Sequence, residues 1–212
     1  MSTALAPMTL AAGLARLQLE LPRETQQKLL DYLALVQKWN KVYNLTAIRN
    51  AEAMLTHHLL DSLAVAPHVR NAKTILDAGS GAGLPGIPLA LALPNAQVTL
   101  LDSNQKKAAF LQQATIELPL ANVNVICDLV ENIQLNQGVT FVVSRAFAEL
   151  AKFVALAGHL IARGGTLLAM KGALPSEEIA QLPGDFKVSR VVPLNVPGVH
   201  AQRHLVFIEA AA

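Results

Sequence analysis

The chain is short of cysteine, of charge and of long apolar runs. Cys127 is its one cysteine, so no internal disulfide can form, and a reducing cytoplasm is the expected compartment. No stretch of roughly 18 uninterrupted apolar residues occurs, which argues against a membrane span. No Lys or Arg stands ahead of the apolar start, Met1 to Leu10. A secretory signal needs that positive flank, so a mature soluble protein is expected. No block of like charge occurs either. The 17 Lys and Arg residues are spread along the chain, the net charge is +2, and the pI is near 8.8. So weakly basic a balance permits a nucleic-acid partner without selecting one. Internal repeats and low-complexity tracts are also missing.

What is present is material for a core. Apolar residues make up 52% of the 212 and charged residues 15%. That suits one large domain, or one domain with a small appendage. The first third, residues 1–70, reads as a helical segment packed on the rest. Leu29, Tyr32, Leu33, Val36 and Trp39 fall at helical spacing, with Pro22 a candidate helix start. Asn50 is a candidate N-cap for a second helix carrying Leu55, Leu59 and Leu63 on one stripe and ending before Pro67.

From about residue 71 to 212 the pattern changes. Short apolar runs at Thr74–Leu76, Gln97–Leu101, Asn122–Cys127, Val139–Ser144 and Gly165–Met170 alternate with helical stretches at Ile87–Leu93, Gln105–Leu118 and Leu150–Ile161. Gly164 and Gly165 read as the stop of the last helix. Continuous apolar strands alternating with helices predict a doubly wound α/β fold with a mostly parallel sheet. Val188–Leu194 and His204–Glu209 have no helix between them and predict an antiparallel edge pair. The total is about seven strands in a Rossmann-like core.

The strongest motif is Asp77-Ala78-Gly79-Ser80-Gly81-Ala82-Gly83, after a strand and before a helix. Such glycines let a ligand approach the main chain, beyond the carboxyl ends of parallel strands. Asp102 follows Gly81 by 21 residues, at the end of the next strand, where a carboxylate can accept from both hydroxyls of a ribose. Gly81 to Gly86 also matches the G-x-G-x-x-G pattern of dinucleotide sites. Three features favour S-adenosylmethionine. Asp77 before the glycines would repel a pyrophosphate, yet can hold a methionine amino group through water. Pro85 and Pro88 remove donors that a pyrophosphate needs. The terminal antiparallel pair is the usual ending of the class I methyltransferase fold. A glycine turn without a ligand explains the glycines but not carboxylates at two successive strand ends.

Beyond the loop, WNKVYNLT (Trp39 to Thr46), HLLDS (His58 to Ser62), DAGSGAGLPGIP (Asp77 to Pro88), LLDS (Leu100 to Ser103), SRAFA (Ser144 to Ala148), Lys171-Gly172 and RHL (Arg203 to Leu205) occur in that order. In these segments the chain resembles the RsmG (GidB) family of 16S ribosomal RNA guanine-N7 methyltransferases, from about Leu29 to Ile208. The resemblance implies S-adenosyl-L-methionine as cofactor, with 16S rRNA or a small-subunit precursor as partner. It also implies guanine 527 (rRNA numbering) as target. By position it places cofactor contacts on Gly79, Leu84, Val130, Glu131 and Arg145. The chain departs from the family pattern at His57 and Leu129, where a basic residue is usual.

The residues themselves are consistent with a ring-nitrogen acceptor. Guanine N7 needs no general base, and none is evident. The Asn/Asp-Pro-Pro-aromatic motif that holds an exocyclic amine is missing after the fourth strand, where Ser144-Arg145 stands. Cys127 has no preceding proline and does not read as the nucleophile of carbon methylation. Arg145 is expected to position the reacting groups, and Lys171 and Arg203 to contact RNA. His57 and Asp61 lie one turn apart, but two candidate ligands read as an ordinary helix face, so no metal is expected. Trp39 and Tyr43 read as core, and His204 as structural. A small-molecule methyltransferase and an NAD(P)-dependent oxidoreductase are the alternatives.

Overall fold

The structure, a computed structural model, describes residues 8–211. Most of the charge-free start lies outside that range. Seven strands form one sheet: β1 (Thr74–Ala78), β2 (Gln97–Leu101), β3 (Val123–Ile126), β4 (Val139–Arg145), β5 (Ile161–Lys171), β6 (Phe186–Pro193) and β7 (His204–Ala210). Their order is β3-β2-β1-β4-β5-β7-β6. The first five are parallel, and β7 runs antiparallel between β5 and β6. This is the predicted fold class. The dinucleotide alternative fares worse, because in that fold the sixth strand continues the parallel sheet.

Strand side chains alternate between two faces, and both faces are apolar. Ile75, Leu100, Val143 and Leu168 join one buried cluster, while their neighbours Leu76, Leu101, Val142 and Leu167 join another. The second face is covered by α7 (Leu150–Ala157) through Leu150, Phe153 and Val154. The first is covered by α5 (Gly86–Ala92), by α6 (Gln105–Glu117) and by the N-terminal helices. Among these, α1 (Leu10–Arg16) precedes α2 (Arg23–Tyr43), which buries Leu29, Tyr32 and Val36. The N-terminal helices therefore share a core with the sheet. Helix α2 begins after Pro22 and ends at Asn44, whose left-handed backbone (φ 49°) stops it.

The second N-terminal helix is less regular than its leucine stripe suggests. Asn50 caps it, its side chain accepting from the Ala53 N–H at 3.0 Å. It then runs through α3 (Ala51–Met54), a π-helical segment (Leu55–Leu60) and α4 (Asp61–Leu63). The wider π turn changes which residues face inward, so Leu60 and Asp61 are buried along with Leu55, Leu59 and Leu63.

Two boundaries differ from expectation. Helix α7 ends at Ala157, a 3₁₀ turn covers Gly158–Leu160, and β5 already starts at Ile161. Gly165 is therefore inside a strand. A Cβ there would sit 2.8 Å from the Val139 carbonyl, where the β4–β5 register shifts. The glycine serves close strand approach, not a helix stop. The short α8 (Ser176–Ala180) has no counterpart in the apolar periodicity, because none of its residues is buried.

Candidate functional site

The glycine loop leaves β1 at its carboxyl end. Gly79 and Gly81 have φ of +72° and +59°, a region that disfavours side chains. The loop is fastened to the end of β2. The N–H groups of Gly79 and Ser80 both donate to the Leu101 carbonyl, at 2.8 and 2.9 Å. Ser80 Oγ donates to the Asp77 carbonyl and accepts from the Leu101 N–H. Asp102 accepts from the Gly81 N–H at 2.8 Å and from the Asn104 N–H at 2.9 Å. On the far side, Tyr32 of α2 donates its hydroxyl to the Ala82 carbonyl at 2.6 Å. An N-terminal helix thus braces the loop.

A cleft of about 420 Å³ opens beside it, across the carboxyl ends of β1 to β4. Gly79, Leu101, Asp102, Val130, Glu131 and Phe147 line it, and Lys107 and Lys152 stand at its rim. Four residues singled out in the sequence (Gly79, Asp102, Val130 and Glu131) are brought together there. Phe147 explains why residue 79 is glycine. A Cβ at 79 would lie 2.6 Å from the Phe147 ring.

Other singled-out residues lie elsewhere. Asp77 does not face the cleft. It is fully buried beneath the loop, where Oδ2 accepts from the Gly86 N–H at 2.8 Å and Oδ1 has no partner. Burial pushes its carboxyl up to about 7, against the opposing pull of the Gly86 N–H and of Arg145. Through Oδ2 it holds the turn into α5. Leu84 is in the apolar core, and its N–H donates to the Ser80 carbonyl. Gly81 is not in the cleft lining either, and a Cβ there would meet nothing nearer than the Gly79 carbonyl at 3.9 Å.

Arg145, at the end of β4, turns toward the N-terminal helices. Its Nη1 donates to the His57 carbonyl at 2.9 Å and to Asp61 Oδ2 at 3.3 Å. Arg203, just before β7, donates from Nε to Asp61 Oδ1 at 3.1 Å and from Nη1 to the Gln202 carbonyl. One carboxylate with a side chain only 5% exposed thus holds two guanidinium groups from distant strands. His58, beside it, bonds through Nε2 to Thr46 Oγ1 at 2.8 Å. Burial, with help from Arg145, pushes its pKa down to about 4, so the ring is neutral at physiological pH. His204 Nδ1 pairs with the Gly172 carbonyl at 2.7 Å. Trp39 packs between Tyr43 and Phe110, with ring centroids 5.2 and 5.8 Å away.

Lys171 requires a correction. Its Nζ is 2.7 Å from Glu178 Oε2 and 2.9 Å from the Ala148 carbonyl, and the side chain is 18% exposed. Glu178 also accepts from the Leu150 N–H at 2.8 Å. The pair fastens the loop between β4 and α7, which carries Phe147 into the cleft and bends at Ala146 (φ 54°). Lys171 is therefore not a free cation awaiting phosphate. The unforeseen α8 supplies its partner.

Sequence reasoning gave no role to Asp61, Phe147 or Glu178. Asp61 stood in a quoted motif and was read as a helix face. Among the described residues no group of three or more His, Cys, Asp and Glu is placed to hold a metal. No helix there is long and apolar enough to cross a membrane.

The model of the family described as rRNA small subunit methyltransferase G matches residues 25–206. A ribosomal RNA small subunit methyltransferase G of Nitrosospira multiformis is 56% identical over 209 residues, covering 95% of this chain and 96% of the relative. Among solved structures, mitomycin 7-O-methyltransferase MmcR superposes with a TM-score of 0.66 at 16% identity, covering 97% of this chain and 73% of its own. A SAM-dependent methyltransferase from Aquifex aeolicus gives 0.55 at 18% identity, covering 74% and 92%. The structural likenesses show a shared fold, and the sequence match gives the membership: the chain belongs to the rRNA small subunit methyltransferase G family.

Proposed function

We propose that the protein methylates N7 of guanine 527 (rRNA numbering) in 16S ribosomal RNA, in the cytoplasm, with S-adenosyl-L-methionine as donor. The observation that carries this reading is the 56% identity, over nearly the whole of both chains, to a relative named for small-subunit rRNA methylation.

The cleft fits the cofactor. Its volume lies in the usual range of roughly 300–1,000 Å³. Leu101, Val130 and Phe147 offer apolar walls to an adenine. Asp102 spends one lone pair of each oxygen on the Gly81 and Asn104 N–H groups, and each oxygen keeps another for a ribose hydroxyl. Glu131 stands at the same wall. Bound there, the sulfonium supplies an electrophilic methyl group. The chain's task is to align an acceptor with it, which contributes several kcal/mol. Guanine N7 has a lone pair and no proton, so no base has to act. The environment suits that: His58 is neutral and already bonded to Thr46. Cys127 lies just past β3, three strand spacings from β4, or about 14 Å. Arg145 spends Nη1 on His57 and Asp61, and its other N–H groups can meet the O6 edge of the guanine.

The test is to map N7-methylguanine in 16S RNA from cells with and without the gene. Loss of the modification at guanine 527 is expected, and its persistence would overturn the reading. Single-turnover rates should also show no unit-slope fall below a pKa near neutrality, since none would be needed.

A further inference from the structure

A second cavity, of about 560 Å³, lies between the end of α1 and the ten-residue loop joining β6 to β7. That loop sits on the ligand side of the sheet. Lys171, at the carboxyl end of β5, pairs with His204 at the start of β7, and His204 pairs with Pro193 at the end of β6. The loop therefore projects from the same edge as the glycine loop.

It is a built feature. The Leu194 N–H donates to the Arg203 carbonyl at 2.7 Å and the Val199 N–H to the Val196 carbonyl at 3.1 Å. Leu194 and Val196 are buried in the core, and Gly198 packs against Thr56 of the π-helical segment. The polar side chains around the cavity are Arg16, Asn195, His200, Gln202, Arg203 and His204. No carboxylate is among the lining residues. Asp61 stands behind Arg203 and is shared with Arg145. Two carboxylate oxygens facing two guanidinium groups leave a net positive charge at that junction. Arg16 and His200 are exposed and, among the described residues, take part in no side-chain hydrogen bond or ion pair.

We propose that this cavity is an RNA-backbone subsite, taking phosphates of the strand next to the target nucleotide, with Arg16 and Arg203 on its two sides. The proposal rests on the RNA-methyltransferase reading above and adds where the strand lies. Arg203 is the joint between the two places, because Asp61 ties it to Arg145 at the acceptor end of β4. Cations, amide side chains and an absence of carboxylates are what a phosphodiester chain requires.

The test is filter binding of the full-length protein to a 16S rRNA fragment containing the target guanine, over a salt series. The variants are Arg16→Gln, His200→Gln and Arg163→Gln. Arg163 is exposed at the amino end of β5, about 26 Å of strand away from Lys171. That is well beyond a screening length of about 10 Å at 0.1 M salt. Arg16→Gln should weaken RNA binding about three- to tenfold and lower the slope of log Kd against log salt by about 0.7–0.9. His200→Gln should act in the same direction more weakly. Arg163→Gln should change neither, and S-adenosylhomocysteine affinity should stay at wild type in all three. Wild-type RNA affinity and slope in Arg16→Gln, or an equal loss in Arg163→Gln, overturns the subsite. If wild-type protein methylates the fragment while Arg16→Gln binds normally, the subsite alone fails. If wild-type protein neither binds nor methylates the fragment or a small-subunit precursor, the functional reading fails with it.

Discussion

Replacing Asp61 with asparagine strikes the junction between the N-terminal helices and the sheet. The carboxylate gives one oxygen to Arg145 at 3.3 Å and the other to Arg203 at 3.1 Å. An asparagine keeps one acceptor, but its amide N–H₂ faces a guanidinium that also only donates. One charge-assisted bond becomes an ion–dipole bond, the other becomes a donor–donor contact, and two cations lose their counter-charge. Breaking a fully buried pair costs about 3–5 kcal/mol. Here the arginine side chains are 20% and 22% exposed, so water recovers part of that, and a loss of about 2–3 kcal/mol is reasonable. For a chain of this size about 2–4 °C accompanies each kcal/mol, which predicts a melting temperature lower by about 4–12 °C. The assay is calorimetric unfolding of the wild type, Asp61→Asn, Arg145→Met and the double variant. Removing one cation should ease the unpaired charge, so the double variant should lose at least ~1 kcal/mol less than the two singles combined. A melting temperature within 1 °C of wild type for Asp61→Asn, or strict additivity in the cycle, would refute the reasoning.

Lys171→Met should loosen the wall that carries Phe147, weakening S-adenosylhomocysteine about three- to tenfold while RNA affinity stays within about twofold; calorimetric titration beside filter binding reads both, and the reverse pattern would return Lys171 to the RNA side. Gly79→Ala places a Cβ 2.6 Å from the Phe147 ring at a φ of +72°, costing roughly 1–2 kcal/mol in backbone strain alone. Its cofactor affinity should fall at least tenfold with circular dichroism unchanged, whereas Gly81→Ala, whose Cβ meets only the Gly79 carbonyl at an ordinary 3.9 Å, should lose less; equal losses would show that the Phe147 contact is immaterial. The pH dependence of stability should show two opposed contributions. Asp77, raised to about 7, binds its proton more tightly when folded, so its contribution declines as pH climbs from its unfolded pKa toward 7. His58, lowered to about 4, binds its proton more tightly when unfolded, so its contribution grows from pH 4 to its unfolded pKa. Urea unfolding of Asp77→Asn from pH 4 to 6.5 should therefore show a steeper rise in stability than the wild type, and an unchanged profile would mean that Asp77 is ionised throughout.

The sheet was legible because parallel strands buried on both faces leave unbroken apolar runs, and those runs are local in sequence. Ile75-Leu76 and Leu100-Leu101 mark strand cores without any knowledge of their neighbours. The antiparallel ending was legible for a similar reason: the nine residues between Leu194 and His204 leave no room for a crossover helix. What failed was punctuation. Gly164-Gly165 looks the same at a helix stop and inside a strand, and the choice is made by the Val139 carbonyl across the pair. The π-helical segment has no leucine signature either, because Leu55, Leu59 and Leu63 are buried in both the regular and the widened turn.

The site divides along the same line. Gly79 and Asp102 were legible since each owes its place to a strand end and a short loop beside it. Lys171 was misplaced because its partner, Glu178, lies on a helix with no buried face, and an exposed helix writes no apolar period. Asp61 was underrated because its burial depends on a π turn and its partners lie 84 and 142 residues away. A charged residue in an amphipathic pattern is assigned to water unless its counter-charges are known, and those came from β4 and β7. Tyr32, fully buried with its hydroxyl on the Ala82 carbonyl, belongs to the same class: it read as one more apolar position on α2. Together Tyr32 and Asp61 tie the N-terminal helices to the candidate site, since one braces the glycine loop and the other holds Arg145 and Arg203. Removing residues 1–70 would therefore strip support from the glycine loop and from Arg145 and Arg203, as well as expose the core cluster that these helices share with α5, α6 and the sheet.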